Sequence, residues 1–299
     1  MTDTAQFRGM DPPQDLHLHL FVYGALKPGM PAFEQLRLLV TTPLQPDRVK
    51  GELYVRDGLP LLSISDHGSV EGFLLRWVDG QESRGYAAVC EFEPRGHYRW
   101  EEVTLESGSR ANALVIRYPK KGNPQPLRSS VWRLSDDPAF GPGLETVREM
   151  IDEINRMGER RMGWPGFFRS QMGYLLLWSI LERLSALCFG PGQDPMQRVR
   201  RLHELPGMAE LVRTHVCRSD RVADSRNPDV TYTLDSADAK KCFAYYYQLR
   251  SNLSHRGKGV ENEFLKVHDS FQELLVITQK YLAALQIHEG REMNFLEQD

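Results

Sequence analysis

The sequence lacks the residue patterns that mark metal-binding and disulfide-stabilised proteins. Its 299 residues include four cysteines, none of them in a C-x-x-C pair. Their neighbours are apolar, so we expect reduced, partly buried thiols and no zinc site. His17 and His19 alternate along one predicted strand, but no third ligand lies near them in the sequence, which is typical of structural histidines. The sequence therefore predicts no metal and no cofactor.

Long apolar runs and an excess of one charge are also missing. The longest apolar run, GYLLLWSI, ends at Leu181, and the N-terminus has no charged-then-apolar pattern, so we expect a cytoplasmic protein without membrane contact. Lys and Arg number 37 against 40 Asp and Glu, so nucleic-acid binding would need a local basic patch. The candidate patches are Arg156, Arg160, Arg161 and Arg169; Arg198, Arg200 and Arg201; and Lys240, Lys241, Arg250, Arg256 and Lys258.

The hydrophobic pattern changes near residue 120. Before it, short alternating runs predict the strands of a mixed barrel or curled sheet: HLHLFVYG, GELYV, PLLSIS, GFLLRWV, GYAAVCEF, WEEVTLES and ANALVIRYP. After it, apolar spacing predicts helices at about 143–157, 166–188, 195–203, 206–216, 236–254 and 261–285, with a loop over 218–235. The predicted fold class is α+β, with a barrel at 1–119, a linker at 120–142 and an all-α bundle at 143–299.

One candidate site lies in the N-terminal half, where LFVYGALKPG places a strand directly before a glycine-containing turn and a helix start. Backbone amides exposed at such a turn bind a carboxylate or phosphate. The order VYGALKPG, GELY, VEGFLL, EFEPRGHYRW and a β-run ending in RYP resembles the gamma-glutamyl cyclotransferase-like fold over about residues 17–119. The resemblance implies a small mixed barrel whose Y-G-[ST]-L loop holds the glutamyl end of the substrate. It also implies a glutamate that moves a proton as the amine attacks the side-chain carbonyl.

The resemblance assigns ligand binding to Tyr23, Gly24, Ala25 and Leu26, and proton transfer to Glu93. Tyr98 and Arg99 match the Y-x-R that follows the glutamate. Ala25 replaces the usual Ser or Thr and supplies no hydroxyl, Cys90 replaces the leading Asp, and Pro94 replaces a Gly. Glu91 is an alternative to Glu93, although on a strand it would point to the opposite face. The barrel is thus either an enzyme of altered substrate or a fold kept for binding.

The second candidate site is the stretch YYYQLRSNLSHRGKG at 245–259. Arg250 offers a planar charged fork for phosphate oxygens, and His255 titrates near neutral pH, so the pair suits RNA cleavage without a metal. On a continuous helix the two diverge by roughly 140°, so either the arginine wraps back or the helix breaks. Asn252 is expected to orient a phosphate or the imidazole. Tyr246 shares a face with Arg250, and Ser251 shares one with His255.

RSNLSH, together with the helix LLLWSILERLSAL that carries Trp178 and Glu182, resembles the HEPN superfamily in its Apea-like branch. The resemblance implies a homodimer that pairs two R-x-x-x-x-H elements and cuts single-stranded RNA. Family context adds a toxin or antiphage role, with the barrel as a sensor or docking module for a small molecule or regulatory protein. Glu182 is expected to pair with Arg250 or His255. The alternatives are a cyclotransferase-type enzyme dimerised by its helical domain and a non-catalytic RNA- or nucleotide-binding regulator.

Overall fold

The computed structural model describes residues 10–93, 96–118, 123–157, 163–190, 194–256 and 264–294, with the side chains of 255–256 and 287–294 left out. The chain divides into two compact units. The first combines Met1–Asp137, Leu187–Gln193 and Leu285–Asp299, and the second combines Pro138–Ala186 and Asp194–Ala284. The first unit contains the two larger sheets and the second contains most of the helices and a short hairpin, so the mixed α and β content matches the predicted fold class.

The first unit is built on a five-stranded mixed sheet in the order β2-β5-β1-β7-β6 and a three-stranded sheet in the order β4-β3-β8. The strands are β1 (His19–Val22), β2 (Gln45–Lys50), β3 (Glu52–Arg56), β4 (Leu59–Ser63), β5 (Ser69–Leu75), β6 (Tyr98–Thr104), β7 (Arg110–Ile116) and β8 (Gln125–Pro126). Strand β1 pairs antiparallel with β5 and parallel with β7. A bridge between Val49 and Leu105 joins the two edges of the larger sheet, which therefore curls onto itself.

The centre of the larger sheet is packed tightly enough to require a glycine. Leu20, Phe21 and Val22 of β1 are buried between the neighbouring strands. A Cβ on Gly72 of β5 would lie 2.2 Å from the carbonyl oxygen of Val22. Any larger residue at 72 would separate β5 from β1.

One predicted strand of this unit is wrong, and two strands, β2 and β8, were missed. GYAAVCEF is not a strand but part of helix α1 (Glu82–Phe92). Its buried residues follow helical rather than alternating spacing: Gly85, Tyr86, Val89, Cys90 and Phe92. A Cβ on Gly85 would lie 2.4 Å from the Trp77 ring, so glycine serves close packing here rather than a turn. Strand β2 was missed because its sequence, QPDRVK, is polar and contains a proline.

Residues expected to form a linker belong largely to the first unit. Leu127 N donates to the carbonyl of Leu53, and β8 pairs with β3. Trp132 is fully buried, although no apolar periodicity surrounds it in the sequence. The first unit therefore extends to Asp137.

The second unit matches the predicted helices in type and approximate position. They are α2 (Leu144–Met157), α3 (Gly163–Phe189), α4 (Pro195–Arg200), α5 (Met208–His215), α6 (Ala239–Arg256) and α7 (Phe264–Asn294).

The loop predicted at 218–235 is wrong. It contains an antiparallel hairpin of β9 (Asp220–Ala223) and β10 (Thr231–Leu234). These strands have only four residues each and are largely polar, so the sequence shows no recognisable apolar alternation there.

Helix α3 is long and apolar enough to cross a membrane by length and composition. However, 56% of its most apolar 18-residue window is buried inside the protein. That burial is typical of a core helix of a soluble protein.

Candidate functional site

Tyr23 fixes the loop that follows β1. Its side chain is buried, and its hydroxyl donates to the carbonyl of Leu114 on β7 at 2.6 Å and accepts from the amide of Leu62 on β4 at 3.1 Å. Tyr98 on β6 donates in turn to the carbonyl of Pro60 at 2.8 Å. Two tyrosines therefore hold both sheets of the first unit around the start of the loop.

The loop itself contains backbone amides that the rest of the described fold does not use. Lys27 N bonds to Gly24 O at 3.0 Å, which closes a tight turn over residues 24–27. Within the described ranges, no hydrogen bond uses the amides of Ala25 and Leu26. A Cβ on Gly24 would lie 2.7 Å from Cγ of Pro60, so a side chain at 24 would press on β4. Two adjacent free N–H groups suit a carboxylate or a developing oxyanion.

Lys27 lies in the same loop, and its burial was not predicted from the sequence. A lysine after a glycine turn is usually solvated, but Lys27 is 1% exposed. Its Nζ donates to the carbonyl of Trp132 at 2.6 Å and lies 5.9 Å from the centroid of the Trp132 ring. The loop is thereby tied to the segment that ends the first unit.

Glu93 lies directly after α1, and its amide still bonds to the carbonyl of Val89 at 3.0 Å. Although the residue as a whole is only half-buried, burial of its carboxyl group raises its pKa to about 8. The negative charge of Glu93 contributes in turn to the raised pKa of the Tyr23 hydroxyl, whose first cause is burial. A carboxyl group with such a pKa exchanges protons near neutral pH, as general acid–base catalysis requires.

Glu91 does not have the position expected of an alternative to Glu93. On a strand the two would point to opposite faces, but the structure places Glu91 on α1 with its side chain exposed. The charge of Glu93, and not that of Glu91, therefore acts on the Tyr23 hydroxyl at the start of the loop.

Comparison with known proteins agrees with this architecture for part of the chain. Residues 20–134 match the family model described as gamma-glutamyl cyclotransferase, AIG2-like. The N-terminal domain is therefore cyclotransferase-like. The match ends at 134, close to the end of the first continuous segment of the first unit. No curated protein matches the sequence.

Several solved structures are similar to part of this chain. An uncharacterized protein from Pyrococcus horikoshii is 21% identical, with 38% of this chain and 88% of that chain covered and a TM-score of 0.31. Kluyveromyces lactis allophanate hydrolase is 18% identical, with 37% and 19% covered and a TM-score of 0.30. A uropathogenic E. coli-specific protein is 14% identical, with 37% and 87% covered and a TM-score of 0.29.

The arginine motif of the second unit lies on α6. Arg250 Nη2 donates to Glu182 Oε1 of α3 at 3.3 Å, so these two residues meet, with side-chain exposures of 27% and 33%. Helix α6 continues to Arg256, which excludes a break between Arg250 and His255. The side chain of His255 lies outside the described part of the chain. Along a continuous helix the two positions point about 140° apart.

The other residues predicted around the motif have different neighbours. Asn252 Oδ1 accepts from Ser225 N at 3.0 Å and Gln248 Nε2 at 2.9 Å, and its Nδ2 donates to Ala223 O at 2.8 Å. The amide expected to orient a phosphate thus holds the β9–β10 hairpin. Ser251 is half-buried.

Tyr246 belongs to a buried polar network that the sequence did not reveal. Its hydroxyl donates to Glu273 Oε2 at 2.9 Å, so it is turned into the core. Arg218 bonds both oxygens of Glu273, at 2.9 and 3.0 Å, and Asp220 at 2.9 Å. Burial raises the pKa of Glu273, which Arg218 and Tyr246 partly offset. The network joins the hairpin to α6 and α7, and its residues are scattered over 55 positions in the sequence.

Metal ligands are not clustered in either unit as far as the described ranges extend. Among those residues, no group of three or more His, Cys, Asp or Glu is arranged to hold an ion.

Proposed function

We propose that the first unit is a cyclotransferase that releases an amine from a gamma-glutamyl amine and forms 5-oxoproline. The observation that carries the proposal is the Glu93 carboxyl group, with a pKa of about 8, coupled to the tyrosine that opens the 24–26 turn. The family match over residues 20–134 supports the same class of chemistry.

The reaction requires one proton to move between two nitrogens. The α-amino nitrogen of the glutamyl group attacks its own side-chain carbonyl carbon, which forms the ring bond. The bond from that carbon to the leaving amine then breaks. Glu93 takes the proton from the attacking nitrogen and returns it to the leaving nitrogen, so no water or cofactor is consumed. The amides of Ala25 and Leu26 would hold a substrate oxygen, and no partner among the described residues competes for them.

The direct test incubates purified protein with gamma-glutamyl amines and measures 5-oxoproline. Glu93→Gln should lower kcat by about 10²–10⁴-fold, because the amide cannot transfer the proton. Glu91→Gln is the matched control, since it makes the same chemical change two residues away on an exposed side chain. It should leave the rate unchanged.

The outcomes distinguish the two alternatives for the first unit, which are catalysis and binding without catalysis. Turnover by wild-type protein that Glu93→Gln abolishes supports an active enzyme. Saturable binding of a gamma-glutamyl amine without 5-oxoproline supports a fold kept for binding. Equal loss in the Glu91 and Glu93 variants would contradict the role given to Glu93.

We propose RNA cleavage as a second activity, located in the second unit. The observation that favours it is the contact between Arg250 and Glu182, which holds the guanidinium at the solvent-accessible edge of α3 and α6. Because α6 is continuous, one copy presents Arg250 and His255 on different faces. A homodimer in a cytoplasmic setting would combine Arg250 of one copy with His255 of the other on single-stranded RNA. The first unit would then add a sensor or docking module for a small molecule or regulatory protein.

This second proposal is tested with labelled single-stranded RNA in the presence of a chelator. Arg250→Ala and His255→Ala should each remove most of the cleavage, by about 10²–10⁴-fold. Arg148→Ala, an exposed arginine on α2 that pairs with Glu145, is the control for loss of a charge. If the wild-type and His255→Ala proteins degrade RNA equally, the activity does not come from this motif.

A further inference from the structure

Arginines of α4 and α6 lie near a carboxylate of α3 or near an aromatic ring of α6. Arg250 lies 3.3 Å from Glu182, and the charge of Glu182 also acts on Arg198 of α4. The Arg200 guanidinium stacks over the ring of Tyr247 at 4.8 Å, one turn before Arg250 on α6. We call Arg198, Arg200, Arg250 and Glu182 the arginine cluster. Neither acid–base catalysis by Glu93 nor the R-x-x-x-x-H pairing uses Arg198 or Arg200.

The cluster contains buried donors that the protein does not use. Trp178 is 1% exposed and packs edge-on against Tyr247 at 5.8 Å, yet its Nε1 has no acceptor among the described residues. In the same described set, the Nε atoms of Arg200 and Arg250 are buried and unpartnered as well. An unmet buried donor destabilises the unbound protein, and a bound acceptor would satisfy it. All three donors belong to residues that pack on Tyr247 or lie one turn from it on α6, which indicates a site for a ligand rich in acceptor oxygens.

The charge of the cluster selects the kind of ligand. Asp194 also acts on Arg198, so three guanidinium groups against the carboxylates of Glu182 and Asp194 leave a net charge of +1. Arg198 is 7% exposed, and the ring of Tyr247 shields one face of Arg200, so water screens the charge weakly. Guanidinium forks match phosphate oxygens in geometry, and a terminal phosphate carries close to two negative charges at neutral pH.

We propose that the arginine cluster binds a terminal phosphate group, on a small phosphorylated molecule or at the end of an RNA strand. Glu182 fills the place of the anion beside Arg250 in the unbound protein, and the arriving phosphate displaces it. The site requires binding alone, so it stands whether or not the protein cleaves RNA or forms 5-oxoproline.

The test is calorimetric titration of the full chain with four probes: inorganic phosphate, ribose 5-phosphate, and a short single-stranded RNA with and without a 5′-phosphate. Arg200→Ala should weaken phosphate binding by about tenfold or more, the loss of one charge-assisted contact. Glu182→Gln should act in the opposite direction and strengthen binding several-fold, because it removes the competing internal anion. Arg148→Ala should bind as wild type does.

The probes distinguish the source of the phosphate. Binding of ribose 5-phosphate and inorganic phosphate indicates a small-molecule site, and binding restricted to 5′-phosphorylated RNA indicates an RNA end. Absence of saturable binding to every probe would overturn the proposal, as would Glu182→Gln weakening binding or Arg148→Ala weakening it as much as Arg200→Ala. If Arg200→Ala does not fold, Arg200→Lys provides the same comparison, because it keeps the charge but loses the fork and the stacking.

Discussion

Single residues decide the chemistry of the first unit, and Glu93 is the most informative of them. Motif spacing in the sequence identified it, although as a strand residue. Its raised pKa could not be predicted, because that pKa depends on how the end of α1 is covered by other parts of the unit. Lys27 was overlooked for the same reason, since nothing local distinguishes a buried lysine from a solvated one.

The raised pKa of Glu93 makes the stability of the protein depend on pH. The folded state favours the neutral carboxyl, with a pKa of about 8 against 4.5 for an unperturbed glutamate. Its contribution to stability is therefore complete below about pH 4.5 and is lost as pH rises through about 8. Glu93→Gln removes this loss, so its melting temperature should rise relative to wild type as pH increases from about 5 to about 9.

Thermal melts across that pH range check this expectation. Glu91→Gln should follow the wild type at every pH, since its carboxylate is exposed. A constant difference between Glu93→Gln and wild type over the whole range would mean that the Glu93 carboxyl group is solvated.

At the scale of elements, sequence patterns identified six helices and most strands because their apolar spacing is long and regular. They failed on α1, which has eleven residues and no side-chain hydrogen bond from its N-cap residue Gln81. They also failed on the β9–β10 hairpin, which Asn252 of α6 holds at Ala223 and which the adjacent Arg218 links to Glu273 of α7. Elements held by contacts that are distant in sequence leave little local signal.

The Lys27 contact should stabilise the first unit. Lys27→Ala leaves the buried carbonyl of Trp132 without this donor and opens a cavity, so we expect a loss of about 2–4 kcal/mol in the free energy of unfolding. Lys50→Ala on β2 is the control, because Lys50 is exposed. Urea denaturation gives both values. A loss in Lys27→Ala no larger than that in Lys50→Ala would show that the contact is dispensable.

The Arg218 network should stabilise the second unit by more than the Lys27 contact stabilises the first. Arg218→Met removes two hydrogen bonds from the half-buried carboxylate of Glu273 and should cost about 3–5 kcal/mol. The pKa of Glu273 is already raised by burial and would rise further without its partner. The loss should therefore be larger at about pH 8 than at about pH 5, where Glu273 escapes the penalty by protonation.

Arg221→Met on the same hairpin is the matched control, since the Arg221 side chain is exposed. If the two variants lose stability equally, the Arg218–Glu273 pair does not hold the hairpin.

For the whole molecule, the sequence indicated two parts of different character, and the structure has two compact units. The boundary differs because segments after 120 pack into the first unit through backbone pairing and Trp132, neither of which leaves a periodic pattern. The family match ends at 134, so it covers the unit that contains Glu93 and none of the arginine cluster.

The two units should therefore lose their activities independently. Glu93→Gln should abolish 5-oxoproline formation without changing phosphate binding, and Arg200→Ala should do the reverse. Parallel measurement of both activities on both variants checks this. Loss of both activities in either variant would mean that the units depend on one another.

The pH dependence of 5-oxoproline formation tests the central claim most directly. If Glu93 is the base, kcat/KM for a gamma-glutamyl amine should rise with pH and level off with a midpoint near 8, and Glu93→Gln should remove both the rate and that midpoint. A wild-type midpoint near the ordinary glutamate pKa of 4.5, or a Glu93→Gln profile identical to the wild type, would contradict the account.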